Sequence, residues 1–102
     1  MTGSELISEE RTRQIEAEAW SLEHDQKTNL DEQLRWAAAC YLLSGRLTIE
    51  DRDVVDCFWP WEPFWWKPGD EVRNLVKAGA LIAAEIDRIQ RTEALKSASK
   101  QD

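Results

Sequence analysis

The sequence predicts an all-α fold: a small bundle of three main helices, with an irregular segment rich in tryptophan and proline before the last of them. Three observations carry this prediction. Apolar residues recur at intervals of three and four in three separate stretches, and no internal repeat competes with that pattern. The pattern is broken once, by Pro60, Pro63 and Pro68, three prolines in nine residues. The chain has 102 residues, which is the size of one domain with a small core.

In the first helix Ile7, Ile15, Ala19 and Leu22 share a face, with Ser8 or Ser4 as N-cap and Glu9 and Glu10 suited to the first turn. Arg11, Gln14 and Glu18 fall on that same face. Polar groups turned toward a core demand partners, supplied either by an internal Arg11 to Glu18 salt bridge or by an inward-facing binding site. Beyond them stands Glu23-His24-Asp25, with the chain's single histidine, a residue as suited to hydrogen bonding at a helix end as to a ligand site.

The second helix is spelled by Leu30, Leu34, Ala37, Ala38, Tyr41 and Leu42, begun by Asn29 and ended near Ser44 and Gly45. A short helical turn over residues 49–55 follows. From Cys57 to Pro68 the spacing is neither helical nor alternating, and three prolines forbid a continuous helix. Four of the six tryptophans lie there. Such rings bury about 150 to 250 Å² each, so this segment either plugs the end of the bundle or lines a ligand site or subunit contact.

The last helix has Asp70 as N-cap and a nearly unbroken apolar stripe of Val72, Leu75, Val76, Gly79, Ile82, Ala83, Ile86 and Ile89. Arg73, Lys77, Ala84, Arg88 and Arg91 form a basic face away from that stripe. This face reads either as a solvated surface or, through Lys67, Arg73 and Lys77, as the cations of a phosphate site beside stacking rings. Asp70 and Glu71 would repel an anion at the helix end itself, so a phosphate has to sit to one side. The domain spans residues 1–102, with 1–6 and 93–102 expected to fray.

Net charge is −7 and unevenly spread. Residues 1–32 carry nine acids against three bases, while residues 72–102 carry six bases against four acids. A local basic patch on an acidic chain argues against duplex nucleic acid as a partner. No run of apolar residues is long enough to span a bilayer, and the polar, acidic start does not resemble a secretory signal, so the expected location is the cytoplasm. Cys40 and Cys57 are expected to be two buried thiols rather than a disulfide. The sequence has no Cys-x-x-Cys pair, no second histidine, no glycine-rich phosphate loop and no nucleophile with its base, so no metal or cofactor is expected.

Several motifs together resemble a known group. Arg11-x-Arg13-Gln14, Glu18-x-Trp20, Glu23-His24-Asp25, the run from Ala37 to Tyr41, Trp59-Pro60-Trp61, Trp65-Trp66-Lys67-Pro68 and the run from Leu75 to Leu81, with Glu85 and Arg88, are similar to a small family of helical proteins from tailed phages and prophages. The resemblance covers about residues 9–91 and departs at Ala19, where the family pattern has glycine. It implies a phage origin, hence the host cytoplasm, and assigns no activity. In that setting three functions compete. The first is a binder of a small anionic nucleotide-derived ligand, one that sequesters a host defence signal. Its ligand-binding residues are drawn from Arg11, Glu18, His24, Asp25, Tyr41, Trp65, Trp66, Lys67, Arg73 and Lys77. The second is a nucleotide pyrophosphohydrolase of the all-α MazG-like type, which would need magnesium. Its motif is incomplete, because Arg13 stands where a third glutamate should follow Glu9-Glu10. The third is an inhibitor that binds a host protein. A core this small also predicts a homo-oligomer, with Gly79 permitting close helix approach.

Overall fold

A computed structural model describes residues 1–17, 33–44 and 57–100. Among these residues the protein is all-α, with helices α1 (Gly3–Ala17), α2 (Gln33–Leu43) and α3 (Glu71–Lys100) and no strand. The predicted start of the second helix at Asn29 and the predicted turn over residues 49–55 lie outside the described residues.

Helix α1 begins earlier than Ser4 or Ser8 would place it, because Thr2 and Glu5 form a reciprocal cap. The Glu5 amide donates to Thr2 Oγ1 at 3.2 Å and the Thr2 amide donates to Glu5 Oε1 at 3.1 Å. Residues 3–6 are therefore helical rather than frayed. The start of α3 is as its sequence predicts: Asp70 Oδ1 accepts from the Arg73 amide at 2.8 Å. Asn74 reinforces that start by clasping Gly69, accepting from its amide at 2.7 Å and donating to its carbonyl at 3.2 Å. The helix then continues to Lys100, with Glu93 to Ala98 exposed.

The core lies between α2 and α3. Leu34, Ala37, Ala38 and Tyr41 meet Ala78, Leu81 and Ala84. These side chains are mostly small, so the helices approach closely. Helix α1 reaches α3 at Gly79, where a Cβ would lie 2.6 Å from Ile7 Cδ1. Packing through alanine and glycine overturns part of the predicted stripe. Val72, Leu75, Ile82 and Ile86 are exposed, while Val76, Ala78, Ala80 and Ala84 are buried. The two neighbouring helices pack against the small residues, and the large ones form a ridge between them.

A second correction concerns the core face of α1. Glu10, Arg11 and Gln14 are buried and Ile15 is exposed. The inward side of this helix thus carries polar groups, as its sequence predicts for Arg11 and Gln14, and it is held to α3 by ion pairs beside the close approach of Ile7 to Gly79.

The irregular segment is folded onto the bundle. Cys57 and Phe58 are helical, so the irregular stretch begins at Trp59 rather than Cys57, and it contains one 3-10 turn, Pro63–Trp65. Trp59, Trp61 and Trp66 pack against the core cluster as a plug. Trp59 stands edge-on to both others, at 5.3 Å from Trp61 and 5.0 Å from Trp66. The indole of Trp59 donates to the Glu62 carbonyl at 3.1 Å and that of Trp61 to Gln33 Oε1 at 3.2 Å, so their polar edges are satisfied. Both cysteines are free, and Cys57 is exposed rather than buried, because it precedes the plug instead of joining it. Among the described residues no helix is long and apolar enough to cross a membrane.

Candidate functional site

The three helices and the proline-rich segment meet at a cavity of about 240 Å³. Helix α1 contributes Glu10, Arg13 and Gln14. Helix α2 contributes Tyr41, and α3 contributes Arg73, Lys77 and Leu81. Trp59, Trp61, Trp65 and Lys67 of the proline-rich segment complete the wall.

Glu10 anchors the polar side. It is 2% exposed and accepts from Arg13 Nε and Nη2, each at 2.7 Å, from Gln14 Nε2 at 3.0 Å, and from Arg73 Nη2 across the helix interface. Burial pushes its carboxyl up. The hydrogen bonds and charges of Arg13, Arg73 and Gln14 together outweigh burial and hold it below its ordinary value. Glu10 therefore stays ionised at neutral pH and fixes both arginines at the cavity wall.

The aromatic side is held by Tyr41. Its hydroxyl accepts from the Lys67 amide at 3.2 Å, and its ring meets Trp66 at 4.6 Å and Trp59 at 5.6 Å. Lys77 Nζ lies 5.4 Å from the Tyr41 ring centroid and donates to the Lys67 carbonyl. Lys67 Nζ lies 5.5 Å from the centroid of Trp65, which is 37% exposed. Both lysines thus rest on aromatic faces.

Of the residues singled out in the sequence, Tyr41, Trp65, Lys67, Arg73 and Lys77 come together here. Trp66 does not line the cavity; it backs Tyr41 within the plug. Arg11 is buried elsewhere on α1, with Nη2 3.7 Å from Asp87 on α3. Glu18, His24 and Asp25 lie outside the described residues, so the Arg11 to Glu18 bridge does too. The basic face of α3 is not a plain solvated surface. Arg73 and Lys77 enter the cavity, while Arg88 donates to Glu85 at 2.6 Å. Buried Glu85 also accepts from Arg35 of α2 at 2.8 Å.

Glu10 and Arg13 are cavity residues that sequence reasoning missed; Gln14 stands on the predicted inward face, and Trp59 and Trp61 in the predicted aromatic segment, though none of the three is among the chosen ligand residues. The signal for Glu10 and Gln14 is their i, i+4 spacing, which with Ile7 three residues before Glu10 sets all three on one face. Among the described residues the cavity brings four cations, Arg13, Lys67, Arg73 and Lys77, against one carboxylate, Glu10, a local charge of +3. Among the described residues no three of the types histidine, cysteine, aspartate and glutamate are grouped to hold a metal ion. Comparisons with family models, with curated proteins and with solved structures return no match.

Proposed function

We propose that this protein is a non-catalytic binder of a small phosphorylated ligand with an aromatic ring, of the nucleotide-derived class. One observation carries the reading: a chain of net charge −7 gathers +3 at one cavity walled by aromatic rings. Cations gathered this closely repel one another, and an anion bound among them offsets that repulsion. Trp65 offers an accessible ring on which a base can stack, worth about 1 to 3 kcal/mol. Lys67, Lys77 and Arg73 supply phosphate contacts beside the start of α3, clear of Asp70 and Glu71. In the phage setting that the sequence resemblance implies, the ligand is a host defence signal held out of circulation.

Hydrolysis of the MazG-like kind has less support. It needs several carboxylates around magnesium, whereas among the described residues the cavity is lined by one, Glu10, already paired with two arginines. The exposed ridge of Leu75, Ile82 and Ile86 supports pairing with a second copy of the chain, since it lies apart from the cavity and leaves it open.

A thermal-shift panel of nucleoside mono-, di- and triphosphates and cyclic nucleotides tests the binding reading. A true ligand at a hundred times its Kd should stabilise the fold by about 2.7 kcal/mol, and Lys77→Ala should abolish most of that gain. No shift across the panel would refute the proposal. A ligand recovered cleaved after incubation with magnesium would favour the hydrolase.

A further inference from the structure

The cavity contains one group that its own side chains leave unsatisfied. Gln14 is 3% exposed, and its Nε2 donates to Glu10 Oε2 at 3.0 Å. The ionised carboxylate only accepts, so the amide nitrogen must face it, and the atom left over is the acceptor Oε1. Among the described residues Oε1 has no hydrogen-bond partner, and it is shielded from solvent. A buried acceptor of this kind stays desolvated without compensation until a donor reaches it. Its neighbours cannot serve as they stand, because Arg13 Nε and Nη2 and Arg73 Nη2 are aimed at Glu10. The side chains of both arginines are about two-fifths exposed, so a change of rotamer at the mouth can admit a ligand group.

Resting on the binding reading above, we infer that Gln14 sets the specificity of the cavity and that the ligand class is a nucleoside monophosphate whose base amine or sugar hydroxyl donates to Gln14 Oε1. Size points the same way. A cavity of about 240 Å³ falls below the roughly 300 to 1,000 Å³ of sites for drug-sized ligands, which favours one ring system and one phosphate over a dinucleotide. The four cations fix the phosphate, Trp65 meets the ring, and Gln14 separates ligands that carry a donor from aromatic anions that do not. A site built to hydrogen-bond a ligand group rejects analogues lacking it far more strongly than an apolar pocket does.

Calorimetric titration of the full chain tests this with adenosine 5′-monophosphate and with phenyl phosphate, an aromatic anion without a ring or sugar donor. The wild type should bind the nucleotide at least about tenfold tighter than phenyl phosphate. Gln14→Met should lose about tenfold on the nucleotide and nothing on phenyl phosphate. The same deletion made in the ligand guards against a misfolded variant. With the wild-type protein, the purine riboside monophosphate lacking the amine, or the 2′,3′-dideoxy nucleotide lacking the hydroxyls, should lose a similar factor, and whichever does so names the donor. If Gln14→Met binds the nucleotide as the wild type does, or neither analogue is weakened, Oε1 is met by water alone and the inference fails while the binding reading stands. If the wild type binds neither the nucleotide nor phenyl phosphate, the inference fails, and the binding reading fails with it when the wider nucleotide panel is also silent.

Discussion

At the scale of single residues, the account turns on two buried carboxylates. Glu10 and Glu85 are each pushed up by burial and pulled down further by their arginines, so both sit below the ordinary 4.5. A carboxyl with a depressed folded pKa stabilises fully above its unfolded value and loses that contribution as pH falls through the folded one. The melting temperature should therefore be flat above about pH 5 and fall on acidification below 4.5. Glu10→Gln should flatten that fall and cost about 1 to 3 kcal/mol in urea denaturation at neutral pH. The cost stays in that range because Arg13 and Arg73 are exposed enough to rehydrate. Cys40 offers an independent check. Burial pushes its thiol up to about 11, whereas Cys57 is exposed. A thiol reagent at pH 8 should modify one cysteine quickly and the second only on unfolding. Much of the site is legible at this scale: Trp65, Lys67, Arg73 and Lys77 follow from rings and cations close in sequence or one helical turn apart, and Tyr41 from the aromatic ring on the apolar face of the second helix. Glu10 is not, because an acid near the start of a helix satisfies a first-turn role equally well, and only the packing of α1 on α3 shows it facing Arg73.

At the scale of elements, small residues decide how the helices meet. Gly79 lets Ile7 approach α3, and an added Cβ would lie 2.6 Å from Ile7 Cδ1 and 2.9 Å from Cγ1. Gly79→Ala should cost about 1 to 3 kcal/mol of overpacking, against roughly 1 kcal/mol gained in helix propensity. Urea denaturation should show a net loss that Ile7→Val partly restores, because Val lacks the Cδ1 that makes the closest approach. The helices themselves were legible from periodicity and from the Asp70 cap. Which face of α3 is buried was not. Hydrophobicity singles out Leu75, Ile82 and Ile86, whereas close packing selects Ala78, Ala80 and Ala84, and the alanines carry too little apolar surface to announce it. The Thr2 to Glu5 capping box was visible in the sequence but lay ahead of the first apolar residue, where the periodic pattern gives no prompt.

At the scale of the whole molecule, the α3 helix separates two surfaces. One side holds the cationic aromatic cavity; on the other, Ile82 and Ile86 remain 47% and 49% exposed. Sedimentation at micromolar concentration should find a dimer, and Ile86→Glu should return it to a monomer with an unchanged helical spectrum. A wild-type monomer would remove the pairing but leave the cavity intact. The central claim is that aromatic rings and cations at this cavity receive a phosphorylated aromatic ligand. Its most direct test follows the six tryptophan indole N–H resonances by ¹⁵N NMR during titration with adenosine 5′-monophosphate. Trp59, Trp61 and Trp65 line the cavity, whereas Trp36 lies outside it, stacked on Phe58 at 5.4 Å. The account predicts saturable shifts for the three cavity indoles with Trp36 unmoved, and loss of those shifts in Lys77→Ala. Resonances that stay fixed at saturating nucleotide, or shifts confined to Trp36, would contradict it.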